Sequence, residues 1–179
     1  MAYVTPGTVA AGDVATAAAW NVLTNDVIAL QQSIIRLAYG TRATSYTVSA
    51  NMTQLATAAE VFSSDLSFTA DGTSSYLIEC FIPIIACPAN ANYNLWVVLC
   101  KGDGTAIASL AQVTGVASQR LPGGVTRFFY TPSAGTQTVN VRGIQETGGG
   151  NGELQNGASS GYTGSAAPMY LAIYGPPTI

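Results

Sequence analysis

The side chains that most often do chemistry are sparse in this sequence, and one type is missing. Its 179 residues include no histidine, which removes together the usual general base, the commonest zinc ligand and any Ser-His-Asp triad. Gly157-Ala158-Ser159-Ser160-Gly161 matches the G-x-S-x-G nucleophile elbow in letters. That motif works only on a strand-to-helix turn with a histidine to take the serine proton, so the segment reads as a Gly/Ser surface loop. The acidic residues Asp65, Asp71, Asp103, Glu146 and Glu153 are scattered and form no calcium loop. Asp71 and Asp103 each precede a glycine and read as turn residues. A glycan-processing pair of carboxylates would have to be assembled from them without a motif, a minor alternative. Gly148 to Gly152 are not followed by Lys-Ser/Thr, nor by a helix to receive a phosphate. Asn51-Met52-Thr53 matches a glycosylation sequon without a secretory signal to give it weight. The expectation is a protein that binds rather than catalyses, with no catalytic residue, metal site or cofactor.

Composition narrows the partners. Charged residues make up only 8% of the chain and apolar ones 48%, against roughly 25% charged in an ordinary soluble domain. Six cations against nine acids leave a net charge of −3. No basic patch is available to neutralise phosphates, so nucleic acid is not an expected partner. The longest apolar run, 76–88, is broken by Glu79 and Pro83 and is shorter than the ~20 residues that cross a bilayer. No membrane association is expected. The first residues lack the positive and apolar regions of a secretory leader, which predicts a chain made and assembled in a cytoplasm. Cys80, Cys87 and Cys100 have no zinc-type spacing and read as buried free thiols. A bridge from Cys80 or Cys87 to Cys100 is the alternative if their strands are neighbours.

The elements that would position any site fall into three stretches. Residues 1–13, with Pro6, Gly7 and Gly12, have no periodicity and read as an extended arm. Residues 14–39 read as a helical stem ending at Gly40. In it Trp20, Leu23, Val27, Leu30, Ile34 and Leu37 are spaced three, four, three, four and three apart, as in the seam of a coiled coil. Packing between copies is favoured; the alternative is an amphipathic helix laid on its own β domain, for which Ile28 and Ile35 broaden the stripe.

From 40 to 179 the texture is strands and turns. Strands are expected near 44–50, 60–69, 75–86, 92–101, 106–113, 125–131, 137–145 and 168–174. Turns are expected at Asp71-Gly72, Gly102-Asp103-Gly104, Pro122-Gly123-Gly124 and Pro132 to Gly135. The Gly/Asn/Ser-rich stretch 143–164 reads as a long surface loop, or a short hairpin with mobile ends. Tyr76, Ile78, Cys80 and Ile82 alternate with Leu77, Glu79, Phe81 and Pro83, so both faces of that strand are largely apolar. Such a strand lies centrally in a sandwich or turns one face to a neighbouring subunit. The fold class predicted is mainly β: an N-terminal arm and short oligomerising helix, then a jelly-roll β-sandwich.

Two stretches resemble known families. Residues 3–38, through Gly12, Val14, Thr16, Ala17, Trp20, Asn21, Asn25 and Asp26, resemble the N-terminal segments of tailed-bacteriophage virion proteins. The remainder resembles the trimeric tumour-necrosis-factor-like and complement-like jelly rolls. The likeness lies in Tyr76 to Glu79, Leu95 to Leu99 before a Gly-Asp-Gly turn, Pro132 to Val141 and Met169 to Tyr174. The resemblance implies a homotrimeric capsid decoration (cement) or head-fibre protein, made in the host cytoplasm and seated on the major capsid protein at the virion surface. Tyr3, Val4, Pro6 and Val9 of the arm would anchor it. The alternative is a tail-fibre or adsorption module whose 143–164 loop engages a host-surface glycan or protein.

Overall fold

The computed structural model describes residues 35–50, 52–87, 94–114, 119–145, 150–156 and 167–175. The arm residues Tyr3, Val4, Pro6 and Val9, the seam from Trp20 to Ile34 and the 157–161 motif lie outside them. Ten strands follow in order: β1 (Ile35–Arg42), β2 (Tyr46–Val48), β3 (Leu66–Ala70), β4 (Tyr76–Ala86), β5 (Asn94–Lys101), β6 (Ala106–Thr114), β7 (Arg120–Tyr130), β8 (Gly135–Gln145), β9 (Gly152–Gln155) and β10 (Met169–Gly175). The described residues are mainly β, and every strand pairing is antiparallel.

Two sheets form a sandwich. In sheet A the order is β1-β10-β4, with β7 along the far edge of β4. On the β10 side, β4 pairs with β10 over 77–81 and with β9 over 84–86, and β9 carries β2 beyond it. Pro83, which has no N–H to donate, falls between these two stretches. Sheet B has the order β3-β8-β5-β6. Alternate residues of both sheets fill one core: Tyr76, Ile78 and Cys80 from β4 meet Val97, Leu99, Val139 and Val141. Phe68 of β3 and Tyr76 of β4 bring their ring centroids to 5.0 Å across the gap, an aromatic pair that adds to area burial.

Three expectations need correction. The expected helix does not extend over 35–39, which begin β1. Here β10 offers a backbone ladder and the core offers a pocket, and together they override helical spacing. Leu37 therefore leaves the seam: it sits at a register shift in β1 and packs on the core, against Gly175. Gly40 is mid-strand rather than a helix stop, and a Cβ there would stand 3.0 Å from Leu66 Cδ2. Pro122-Gly123-Gly124 is not a turn but part of β7, opposite Ile84 and Ile82. A Cβ on Gly123 would come within 1.8 Å of the Ile82 carbonyl oxygen, so glycine is needed there for backbone contact rather than for turning. Nor do the described parts of 143–164 form a single loop or pair with each other as a hairpin: 143–145 end β8 beside β5, and 152–155 form β9 beside β2 and β4. Leu154 of β9 is wholly buried, which anchors the middle of that stretch in the core.

The 60–69 strand is found in part. Leu66–Ala70 pair with β8, while upstream Glu60 bridges Arg142 and the Val61 amide donates to the Val141 carbonyl at 2.8 Å. Arg142 holds this crossing segment down. Its Nη1 donates to the Leu55 and Ala56 carbonyls at 2.8 and 3.3 Å, and its Nη2 to the Gly102 carbonyl at 3.0 Å. Nη2 also faces Glu60 Oε1 at 3.4 Å. The Asp71-Gly72 and Gly102-Asp103-Gly104 turns form as expected. Asp71 Oδ1 accepts from the amides of Thr73 and Ser74, Asp103 Oδ1 accepts from Thr105, and Gly72 and Gly104 have φ of 83° and 86°.

Candidate interaction surface

The outer face of sheet A is built by the side chains of four strands that point away from the core. Register aligns them in three rows across β1, β10, β4 and β7. The first row is Thr41, Tyr170, Phe81 and Val125. Tyr39, Ala172, Glu79 and Arg127 form the second, and Arg36, Tyr174, Leu77 and Phe129 the third. On β4 these are the odd positions 77, 79 and 81, half-buried where the even ones are buried. Both faces of β4 are thus largely apolar, as its sequence predicts, but one of them meets only the fringes of its own sheet.

Exposure concentrates here. Tyr39 is 45% exposed, Val125 46% and Phe129 69%. The Tyr170 ring bridges the face, its centroid 5.9 Å from that of Tyr39 and 5.4 Å from that of Phe81. The Arg36 guanidinium lies over the Tyr39 ring at 4.5 Å, a cation–π contact.

Two of the three charges on this face are matched to each other. Arg127 Nε donates to Glu79 Oε2 at 2.7 Å, and the Tyr170 hydroxyl donates to Glu79 Oε1 at 2.8 Å. The Arg127 hydrogen bond, then that of Tyr170, hold the Glu79 carboxyl below its ordinary pKa. Burial, then the Glu79 hydrogen bond, push the Tyr170 phenol up to about 12. Glu79 is therefore a carboxylate with both oxygens occupied, an element of structure rather than a free acid or base.

A second concavity lies on the outer face of sheet B. It is an open groove of about 690 Å³ among Trp96, Val98, Ile107, Ile144, Leu55 and Thr53. No charged residue lines it. No group of three His, Cys, Asp or Glu side chains able to hold a metal occurs among the described residues. Cys80, Cys87 and Cys100 are free and buried. Cys80 and Cys100 stand in different sheets, so these two are not strand neighbours. Burial raises the Cys80 thiol to about 12 and the Cys100 thiol to about 11, which suppresses the reactive thiolate.

Of the side chains singled out by sequence, the face contains Glu79 and several strand aromatics. Leu37 is placed under sheet A instead. Sequence reasoning missed Tyr39, Val125 and Arg127 as surface groups: Tyr39 falls in the expected helix, and the expected 125–131 strand carries no sign that it lies beside β4. The signal was the alternation Val125, Arg127, Phe129 against Thr126, Phe128, Tyr130, which puts one set outward.

No protein-family model matches this chain, and no curated protein matches it. Among solved structures the chain is similar to that of the infectious bursal disease virus Gt strain, at 14% identity and TM-score 0.31, over 80% of this chain and 38% of that one. It is also similar to the infectious bursal disease virus VP2 subviral particle, at 10% identity and TM-score 0.31, over 81% and 37%. The chain thus spans little more than a third of the length of those proteins. The fold described above rests on the strand order and register, not on this likeness.

Proposed function

We propose that this chain is a self-associating structural protein of a virion, a trimeric decoration or head-fibre protein bound to the outside of a capsid shell, and that its sandwich is a jelly roll. The strand order β1-β10-β4-β7 over β3-β8-β5-β6 supports the second part, because it interlocks two Greek keys. The observation that carries the first is the outer face of sheet A, where exposed apolar side chains surround a charge pair already neutralised. Patches of this kind mark protein–protein contact. The resemblance of residues 3–38 to phage virion segments supplies the setting. The arm, through Tyr3, Val4, Pro6 and Val9, and the seam from Trp20 to Ile34 would tie copies to one another and to the major capsid protein. Stabilisation then follows from mass action: whatever binds the assembled shell and not the dispersed subunits favours the shell. No catalytic step is involved.

A second reading has a specific observation in its favour. The groove containing the partly exposed Trp96 adjoins Ile144 and Gln145, at the start of the 143–164 stretch, where a tail-located protein would engage a host glycan or protein. Labelling intact virions for this chain and counting copies separates the two. Hundreds of copies over the shell are expected; a handful at the tail would overturn the decoration reading in favour of the second. Deleting residues 1–13 should abolish co-sedimentation with capsids while leaving the melting of the sandwich unchanged, and undiminished co-sedimentation would remove the arm as anchor.

A further inference from the structure

We propose that copies of this chain associate through the outer face of sheet A, turned toward a shared axis, so that the partner on this surface is a second copy of the chain. This rests on the self-association proposed above and names the surface responsible for it.

Placement is the first argument. The large apolar side chains exposed among the described residues are Ile35, Tyr39, Val125 and Phe129. Three of them share this one face and Ile35 opens β1 at its border, while the equivalent positions of sheet B contribute none.

Area is the second. Four strands about 4.8 Å apart and some five residues of about 3.4 Å each outline roughly 330 Å² in projection. With side-chain relief this is on the order of 500–550 Å² of accessible surface. Two such faces bury about 1,000–1,100 Å², which meets the roughly 1,000 Å² that a specific interface needs and makes this face a partner of the seam rather than a substitute for it.

Charge is the third. Glu79 and Arg127 cancel, and the Glu79 side chain is only 12% exposed with both oxygens bonded. Much of its desolvation cost has been met within one subunit, so a second copy of the face can close over Glu79 without stranding that carboxylate. A strongly acidic or basic partner would find nothing to pair with except Arg36, which already lies over Tyr39.

Continuity is the fourth. The three-four spacing of apolar residues runs to Ile34, and the next residue begins β1, the edge strand of this same sheet. In the association proposed above, β1 is the strand that follows that seam directly in the chain, and Tyr39 lies on its outward face. The groove at Trp96 lies on the opposite sheet and is not part of this face.

The test uses the full chain. Phe129→Glu and, separately, Val125→Glu place a charge at exposed positions where the fold has room for it; Ser109→Glu does the same on sheet B. Mass is measured by sedimentation velocity over a wide concentration range, with melting as the check on folding. The parent is expected to be an oligomer. Either sheet A variant should weaken association at least a hundredfold while melting within a few degrees of the parent, and Ser109→Glu should leave the mass unchanged. A Phe129→Glu protein that keeps the parent's mass throughout overturns the inference, and means that residues 1–34 of the same chain cover the face or that the seam alone holds the copies; virion attachment is untouched by that result. Dissociation by Ser109→Glu as well would overturn it too, since the effect would then not belong to the face. A parent that stays monomeric at high concentration removes both this inference and the trimer, whereas co-sedimentation with capsids still reports separately on the virion role.

Discussion

Replacing Arg142 by methionine should destabilise the sandwich by about 3 kcal/mol. The Arg142 side chain is 7% exposed, and its guanidinium donates to the carbonyls of Leu55, Ala56 and Gly102, with Glu60 as its ionic partner at 3.4 Å. Removing one partner of a buried ionic contact costs roughly 3–5 kcal/mol, and each buried carbonyl left unsatisfied about 1–3. Two features bring the value to the low end. Glu60 is 30% exposed and can turn to water, and Arg142 Nε has no partner of its own, so methionine also removes an unmet donor. Met preserves the aliphatic packing, which keeps the comparison to the polar contacts. For a domain of this size 1 kcal/mol corresponds to roughly 2–4 °C, so melting should fall by about 6–12 °C. In urea the midpoint should drop without a change in slope. Hydrogen exchange adds a local signature: the Val61 amide, bonded to the Val141 carbonyl beside this residue, should lose protection more than the amides of β4. Stability within about 0.5 kcal/mol of the parent would refute the assignment of Arg142 as the clamp on this crossing.

Gly123→Ala should cost more than about 2 kcal/mol, because its Cβ would lie 1.8 Å from the Ile82 carbonyl oxygen and only backbone displacement can relieve that overlap; an unchanged urea midpoint would show that β7 does not pair with β4 in this register. Asp71, held at about 2 by hydrogen bonds from Ser74 and Thr73, has its folded-state pKa below the unfolded value of about 3.9, so its contribution is present above pH 4 and lost as pH falls through 2. The gap in melting temperature between the parent and Asp71→Ala should therefore be constant from pH 7 to 5 and close between pH 4 and 2, and a gap independent of pH would contradict the turn geometry. Cys80 and Cys100, with thiols raised to about 12 and 11, should resist a thiol reagent at pH 8 until urea unfolds the chain; fast labelling of either in the native protein would refute their burial.

Periodicity made most of the sandwich legible, because a strand with one buried face must alternate, and β4, β5, β6, β8 and β10 do so or run apolar throughout. Misreadings fall where local chemistry and tertiary pairing disagree. Pro122-Gly123-Gly124 has turn composition, but at that position glycine answers to the approach of Ile82 from the neighbouring strand, a contact no window of sequence contains. Gly152 misleads in the same way: a Cβ there would stand 2.4 Å from Leu95 Cδ1, so its smallness is a packing requirement inside a stretch that otherwise reads as loop. Both errors treat glycine as a hinge where it is a clearance.

The stretch around 35–39 shows why the interaction face was only half visible. Ile35, Leu37 and Tyr39 satisfy a helical stripe with Ile28 and Ile34, and they also satisfy a strand, since one residue in two is apolar. What decides between the readings is the free edge of β10, which pairs with Arg36 through Arg42 once the chain closes. As a helix, this segment would have placed Tyr39 on the stem and left the outer face of sheet A one strand narrower, without the Tyr39–Tyr170–Phe81 aromatic chain. As a strand, it makes one chain segment both the end of the apolar seam and the border of the apolar face. An interface that runs without a break from stem to sheet would lock the two together, so that a charge at Phe129 should be felt by the seam as well as by the face.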